Sequence, residues 1–403
     1  MKIALVANRF PSVSETFIYN HAAGLRAAGL DVTVIATQLG NDAEMFADFD
    51  GVRYDGPIEH QILQRDPLAT MRELATRMSH DASRAFALWR AAQQRYGIGR
   101  RALRAALLAL PLDHFDIVHL EYSGLAVSWR DALPLRTRAK LVVSCRGAAE
   151  QITPLVHPER AALLAEVFAH ADRVHCVSLD MQRTCEQYGL PPRKAFVNRP
   201  AIDVRRFRRA TPYVVRERGP YRLLSTGRLH WKKGLEYALL AVRRLVDAGH
   251  SVHYEIIGAG VEEERLRFAV NDLGLAGHVQ LAGRRSSTEV RAALEAADIY
   301  LLPSLSEGIS NAALEAMAME VPLVTTTAGG MNEAVADGIE GMVVPSRDPG
   351  AMADAIATLL ADGPGRAAIG RSARTRIERE FSLERQINVY LKEYDSLLNG
   401  AAA

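Results

Sequence analysis

Two glutamates in the segment PSLSEGISNAALEAMAMEVP stand where chemistry is easiest to organise. Glu307 precedes a glycine, Gly308, and the start of a helical pattern. Glu315 lies inside that pattern, with seven residues between the two acids. The spacing places Glu307 in a loop at a strand's C-terminal end, where open α/β sheets take their ligands. The backbone N–H groups of Ile309, Ser310, Asn311 and Ala312 open the helix and favour a phosphate there. Two turns on, Glu315 is placed to accept hydrogen bonds from paired hydroxyls such as those of a ribose. The competing reading is a helix dipole matched by an N-terminal acid, with Glu315 on a solvated face.

Upstream, STGRLHWKKGLEYALLA carries Arg228 and Lys233 between a strand and a helix, bracketed by Gly227 and Gly234. Two cations near a helix N-terminus suit a pyrophosphate; a basic surface loop accounts for the motif equally well. IIGAG supplies Gly258 and Gly260, but Glu262 and Glu263 occupy the place of a third fingerprint glycine, so a tight turn explains it as well as a dinucleotide site. Further on come a Gly329-Gly330 turn and Glu333.

These loops need a scaffold of alternating strands and helices, and the chain has one. KIALVA, a run that Asn8 and Arg9 end, a helix starting at Ser14 and closing at Gly29, and DVTVIA form a βαβ opening with a right-handed crossover. DIVHL, KLVVSC, RVHCVS and AFVN continue the strand rhythm. Residues 199–220, rich in arginine and proline, break it and read as a linker. YRLLST, VHYEII, HVQLAG, DIYLLP and PLVTT restart it as strands apolar enough to be covered on both faces. The chain ends in an amphipathic helical pattern, LERQINVYLKEYDSLL. The fold class expected is α/β, with two doubly wound, Rossmann-like domains in tandem.

Composition narrows the function. The chain has 403 residues, 48% of them hydrophobic and 24% charged, enough to bury a core and too ordered in composition for disorder. A net charge of +2 argues against a nucleic-acid surface. Three scattered cysteines, Cys145, Cys176 and Cys185, offer neither a disulfide framework nor a structural zinc pair, and suit a reducing compartment. No apolar stretch approaches a membrane span. One local bias stands out: residues 60–110 are helical in pattern and hold nine arginines against three acids. That segment reads either as an insertion with a solvated basic face or as a surface for anionic lipid.

The Gly-Arg-Leu…Lys-Lys-Gly loop, the Gly-Ala-Gly turn, the Leu-Ala-Gly-Arg strand end, the Glu-Gly…Glu-Ala-Met-Ala block and the Gly-Gly…Glu tail, in this order, resemble the retaining glycosyltransferases of family 4. The N-terminal ANRFPSVSETFI is similar to their colanic-acid, exopolysaccharide-building branch. The resemblance implies a GT-B fold: an acceptor-binding domain over residues 1–198 with the basic insertion 60–110, a linker at 199–220, a donor-binding domain over 221–380, and a C-terminal helix and tail over 381–403 crossing back to the first domain. It implies a metal-independent hexosyl- or related transferase, with a UDP-, GDP- or ADP-sugar as donor substrate, no tightly bound cofactor, and a glycan, lipid-linked or small-molecule acceptor. Arg228 and Lys233 would hold the donor pyrophosphate, Glu307 the donor sugar, Glu315 the ribose, Arg284 the base, and Gly329, Gly330 and Glu333 the C-terminal wall. Acceptor-side candidates are Ser14, Glu15, Thr16, His119, Glu121, Arg146 and Gly147. Where many relatives have His-Gly after the strand matching KLVVSC, this chain has Arg146-Gly147, and an arginine cannot serve as a base near neutral pH. His119 is a substitute or a satisfied structural histidine.

Other classes are also weighed. The Asp-Phe-Asp at 48–50 resembles the metal motif of GT-A transferases but lies far from the donor motifs. No Gly-x-Ser-x-Gly elbow suggests a serine hydrolase. A nucleotide-sugar 2-epimerase of the same fold and a non-catalytic sugar-nucleotide- or lipid-binding partner remain as alternatives. The expected place is cytoplasmic, with peripheral contact to the inner membrane face as the further option.

Overall fold

The computed structural model describes residues 1–10, 15–39, 82–136 and 138–400. Ser14, the Asp-Phe-Asp at 48–50 and residues 60–81 of the basic insertion lie outside them. The chain divides into two compact units: Met1–Val177, Met181–Asn198 and Ile387–Ala403 form the first, and Ser178–Asp180 with Arg199–Gln386 the second.

The first unit is built on six parallel strands: β1 (Lys2–Phe10), β2 (Asp31–Leu39), β3 (Ile117–Leu120), β4 (Lys140–Cys145), β5 (Arg173–Cys176) and β6 (Ala195–Val197), in the order β2-β1-β3-β4-β5-β6. Their centres are apolar on both sides, as a parallel sheet covered on both faces requires. Helix α1 (Thr16–Ala27) makes the first crossover and lays Ile18, His21, Ala22 and Leu25 on the sheet. It closes at Gly29, whose φ of +85° is the left-handed geometry a glycine adopts without a Cβ clash. β1 does not stop at Asn8: it runs to Phe10, because Arg9 and Phe10 still pair with Gln38 and Leu39 of β2. The described part of the basic segment forms α2 (Ala82–Tyr96) and α3 (Arg100–Ala109), with Ala85, Leu88, Ala92, Ala102 and Ala105 in the core. Three of its arginines serve the fold. Arg84 pairs with Asp113 at 2.8 Å, Arg101 with Asp131 at 2.7 Å, and Arg104 donates to the Ser128 carbonyl at 3.1 Å. Helix α4 (Ser123–Ser128) follows β3, α5 (Glu159–His170) precedes β5, and α6 (Leu179–Gln187) follows it.

The second unit also has six parallel strands: β7 (Tyr221–Thr226), β8 (Val252–Ile257), β9 (Val279–Gly283), β10 (Ile299–Leu302), β11 (Leu323–Thr326) and β12 (Met342–Val344). Their order, β12-β11-β10-β7-β8-β9, reverses direction between β7 and β10, the doubly wound arrangement whose switch point is a ligand crevice. Helices α7 (Leu235–Asp247), α8 (Glu263–Asp272), α9 (Ser287–Ala296), α10 (Asn311–Ala318), α11 (Pro349–Ala361) and α12 (Gly363–Glu380) cover the two faces. Residues 199–220 are tied into this unit by arginines: Arg209 donates to the carbonyls of Met319 and Glu295, and Arg216 pairs with Asp298 at 2.9 Å.

The last helix, α13 (Leu383–Asn399), belongs from Ile387 onward to the first unit. Ile387, Tyr390 and Tyr394 join Ile3, Leu5 and Ile18 in one buried cluster on the first sheet.

Candidate functional site

In the second unit, the loops leaving β7 and β10 meet at the switch point. Lys233 Nζ lies 2.5 Å from Glu307 Oε1, and Ser304 Oγ donates to the same oxygen at 2.8 Å. The backbone holds the two loops together as well: Leu305 N donates to the Lys232 carbonyl at 2.7 Å. Gly234, with φ +58°, lets the chain pass so close that a Cβ there would stand 2.2 Å from the Pro303 oxygen. Arg228 is exposed in the same loop. Burial lowers the pKa of Lys232, and Glu307 partly offsets this.

The glycines of IIGAG have a structural cause. A Cβ on Gly258 would lie 1.8 Å from the Gly227 oxygen, and one on Gly260 would lie 2.1 Å from the Leu229 oxygen. Gly227 N donates to Ile257 O at 2.9 Å and Leu229 N to Ala259 O at 3.0 Å, so the loops after β7 and β8 are zipped backbone to backbone. Gly258 N in turn donates to Gly283 O at 2.9 Å, which sets the start of the loop bearing the exposed Arg284.

Asn311 opens α10, as the sequence pattern predicts, and Ser310 stands at its cap. The expectation that Ile309 to Ala312 all turn their N–H groups to a ligand needs one correction: Ser310 N–H points to the Met331 sulfur at 3.4 Å. Ile309 and Ser310 are buried. Removal from water pushes the Glu315 carboxyl up to about 7, with Arg206 opposing. Gly330 N donates to the Gly308 carbonyl at 2.8 Å, and a Cβ on Gly330 would sit 2.3 Å from that oxygen. Gly329, φ +56°, makes the turn before it. Glu333 is spent on structure: it accepts Leu179 N at 3.0 Å, Asp180 N at 2.9 Å and Arg199 Nη2 at 3.0 Å.

In the first unit, the acceptor-side candidates at the ends of β3 and β4 form a buried polar chain. Arg146 Nη2 pairs with Glu121 Oε2, and its Nε donates to the Glu121 carbonyl at 3.0 Å. The guanidinium also stacks 4.2 Å from the centre of the Phe17 ring. The other Glu121 oxygen meets His21 Nδ1 at 2.7 Å, and His21 Nε2 lies 3.3 Å from the Tyr394 hydroxyl. That hydroxyl meets His119 Nδ1 at 2.6 Å; His119 Nε2 meets Ser144 Oγ at 2.7 Å, which meets His175 Nδ1 at 2.8 Å. Burial works to raise the Glu121 pKa, but Arg146 and His21 hold it well below the usual carboxylate range.

Two expectations are corrected here. His119 is fully buried, both ring nitrogens are engaged, and burial drives its pKa down to about 3. It is a satisfied structural histidine, the second of the two readings the sequence left open for it. Glu121 is likewise fully buried, and its carboxylate fixes Arg146. Arg146 keeps a partly exposed side chain, Thr16 opens α1, and Glu15 beside it hydrogen-bonds the Tyr122 hydroxyl.

Glu150 escaped the sequence reading. It accepts Gly147 N–H at 3.1 Å and Arg146 N–H at 3.3 Å, and pairs with the Ser123 hydroxyl. Burial pushes its carboxyl up to about 7. The available signal was an acid three residues beyond the glycine that follows β4, the spacing of a carboxylate reaching back to a helix start. His21 and Tyr394 were hidden among apolar positions of amphipathic helices. His21, His119 and Glu121 offer ligand atoms within 4.8 Å of one another, but Arg146 already neutralises Glu121 and Tyr394 lies between the rings, so the set does not fit a cation.

Comparison with known proteins agrees with these two units. The model described as Glycosyltransferase Family 4 matches residues 14–206, and that described as Glycosyl transferases group 1 matches 220–362. The chain is 30% identical to a protein of Escherichia coli K12 bearing the name colanic acid biosynthesis glycosyltransferase WcaL, over 99% of each chain. It is also 30% identical to the amylovoran biosynthesis glycosyltransferase AmsK of Erwinia amylovora, over 95% of this chain and 96% of the other. Among solved structures, Anabaena HepE in complex with UDP and glucose superposes with a TM-score of 0.76 at 17% identity, over 98% of this chain and all of that one. The fold is therefore GT-B.

Proposed function

Since this chain belongs to glycosyltransferase family 4, we propose that it moves a sugar from a nucleotide-sugar donor to an acceptor hydroxyl in exopolysaccharide synthesis, with retained anomeric configuration. The family membership and the names of the relatives support the reaction class. The single observation that carries the site assignment is the Lys233–Glu307 contact at the β7/β10 switch point, with Arg228 exposed beside it.

In this reading the donor diphosphate lies against Arg228 and Lys233, which take up the negative charge as the anomeric C–O bond to phosphate breaks. Fixed cations aimed at developing charge are commonly the largest catalytic contribution, and they fill the role a divalent metal has elsewhere. Glu307 accepts hydrogen bonds from the donor sugar, Glu315 from the ribose, and Arg284 borders the base. The start of α10, with Asn311 as its first residue and Gly308 ahead of it, faces the phosphate, while Ile309 and Ser310 are buried and the Ser310 N–H is turned to the Met331 sulfur; Gly227, Gly258, Gly260, Gly329 and Gly330 let the surrounding loops close. No residue of the sequence declares itself as the carboxylate nucleophile that a double displacement needs, so the proposed route is front-face. The acceptor oxygen bonds to the anomeric carbon as the leaving phosphate oxygen takes the acceptor proton. On the acceptor side, Arg146, fixed by Glu121, would hold a sugar oxygen, carboxylate or phosphate, with Glu15, Thr16 and Gly147 beside it.

A peripheral membrane position is the second part of the reading. No described helix is long and apolar enough to cross a membrane. On α2 and the turn after it, Phe86, Trp89 and Ile98 are exposed beside Arg90 and Arg100, aromatic and basic residues of the kind that settle at a lipid interface. Pelleting with anionic vesicles at low and high salt tests it: no binding at low salt overturns it.

The reaction is tested by screening UDP-, GDP- and ADP-sugars for transfer and for hydrolysis, with Lys233→Ala and Glu307→Gln as controls. Product NMR reports the anomeric configuration. Activity unchanged in both variants would overturn the site assignment. Donor turned over into an epimer without acceptor would overturn the transferase reading.

A further inference from the structure

A second cationic site lies in the first unit, at the end of its sheet opposite Glu121 and Arg146. It is a cavity of about 830 Å³ at the N-terminal ends of three neighbouring strands. Lys140 opens β4, Arg173 opens β5 and Lys194 immediately precedes β6. Lys140 and Arg146 stand at opposite ends of β4, about 20 Å apart at the rise of an extended strand. The cavity is an open concavity, with Arg95, Arg138 and Arg193 exposed around it.

The charges lining it do not balance. The one acid among its described lining residues, Asp172, is taken by Arg136 at 2.8 Å and by Leu141 N at 2.7 Å. Lys194 is also occupied, donating to the carbonyls of Phe168, Ala169 and Ala171 at the end of α5. Arg173 faces Glu393 at 3.6 Å. Among the described residues, Arg95, Arg138, Lys140 and Arg193 line the same cavity and have no carboxylate partner. The surplus is felt by neighbours. Burial first, and then the surrounding cations Arg136 and Arg95, lower the pKa of His170 against the pull of Glu166; burial, Arg193 and Arg136 lower that of Lys194 against the pull of Asp172.

We propose that this cavity binds a compact anion carrying two or more phosphate groups. Three of the four uncompensated cations are arginines, whose planar forks match phosphate oxygens in pairs. Their placement around a concavity suits a compact polyanion that several of them reach at once, better than the plane of a bilayer. The shared chemistry is a cluster of phosphates, either free in solution or carried on a headgroup.

Tripolyphosphate is the probe, titrated calorimetrically against the full chain at constant ionic strength. The donor loops also attract phosphate, so the titration is repeated in Arg228→Ala/Lys233→Ala and in Arg138→Glu/Arg193→Glu. The proposal expects binding that survives the first pair and weakens about tenfold or more in the second, while transferase activity of the second pair stays at its basal level. Circular dichroism checks that both variants fold, and Arg138→Gln/Arg193→Gln gives a milder version of the same loss. Binding abolished by Arg228→Ala/Lys233→Ala, or indifferent to Arg138→Glu/Arg193→Glu, overturns it. A vesicle arm separates the sources. Capture by phosphoinositide-containing vesicles that tripolyphosphate competes away assigns the phosphates to a headgroup; tripolyphosphate binding without capture assigns them to a soluble compound. Capture that persists in Arg138→Glu/Arg193→Glu, with no tripolyphosphate binding, overturns the proposal in favour of a bilayer surface elsewhere on the chain.

Discussion

Lys233 and Glu307, 74 residues apart in the chain, close to 2.5 Å and join the loops that leave two adjacent strands, β7 and β10. The two side chains are 16% and 10% exposed, so each partly shields the other from water. In the proposed donor site, a diphosphate arriving beside Lys233 would compete with Glu307 for the same ammonium, and the sugar would then be left to satisfy the carboxylate.

The first prediction follows from that competition. Lys233→Ala should lower kcat/KM by about 100-fold or more, the scale of losing one aimed charge donor. Glu307→Gln should cost less and act mainly on the sugar. Because each single change strands the partner, the double variant should lose clearly less than the sum of the two. A double-mutant cycle on kcat/KM measures this; strict additivity would mean that the pair does not act together in the reaction.

The second prediction concerns pH. Glu315 and Glu150 are both pushed up to about 7 from an ordinary value of 4.5, chiefly by burial. A raised folded-state pKa favours the protonated form. The stability each provides is complete below pH 4.5 and is lost as pH rises through 7. Each group should contribute about 1–3 kcal/mol to this slope. Urea midpoints taken from pH 5 to 8 should therefore fall, and Glu150→Gln should flatten part of the fall. Function at Glu315 has the opposite sign. A carboxylate that accepts ribose hydroxyls is lost on acidification, so donor affinity should weaken as pH drops below 7, and Glu315→Gln should remove that dependence.

The third prediction separates structural glycines from ligand-cradling ones. Gly258→Ala places a Cβ 1.8 Å from the Gly227 oxygen at a φ of +153° that a side chain rarely adopts. Both the clash and the backbone conformation oppose folding of the loop, with a cost of at least about 2 kcal/mol. The thermal midpoint should fall even without donor. A variant that loses donor binding at full stability would instead make Gly258 a ligand contact.

Much of this was legible beforehand, and the exceptions share a cause. KLVVSC, YRLLST and VHYEII occupy β4, β7 and β8 end to end, because short β-branched and apolar runs bounded by polar residues have few other uses in an α/β chain. The Lys233–Glu307 site was legible because motif order placed both on loops at strand ends. The buried chain around Tyr394 was not, since it joins residues as far apart as His21 and Tyr394, 373 positions, and a histidine on an apolar face looks the same whether it meets substrate or another side chain. The partners of Glu333 were illegible for the same reason: Leu179, Asp180 and Arg199 are distant in sequence and two of them are backbone groups.

The fourth prediction addresses Tyr394. Its hydroxyl stands between His119 Nδ1 at 2.6 Å and His21 Nε2 at 3.3 Å, all three groups fully or nearly fully buried. Tyr394→Phe keeps the ring and leaves buried nitrogens without their partner, which should cost about 1–3 kcal/mol in chemical unfolding. His119→Ala should cost more, since it opens a cavity beside Ser144 as well.

Arg146 can be tested so that anchoring and acceptor roles come apart. Its guanidinium is held by both a carboxylate oxygen and the main-chain carbonyl of Glu121, and rests on Phe17. Removing it as Arg146→Ala leaves Glu121 charged and buried with His21 as the remaining partner, so stability should drop by about 3–5 kcal/mol. Combining it with Glu121→Gln removes the stranded charge and should recover a good part of that loss. If Arg146 serves only to neutralise Glu121, the stabilised double variant regains activity with it. If its exposed portion holds the acceptor, stability returns and turnover does not, with donor KM close to that of the parent chain. Arg146→Lys sharpens the distinction: the charge stays, the fork on Glu121 and the stacking on Phe17 are lost, and turnover should remain depressed although the buried carboxylate keeps a cation.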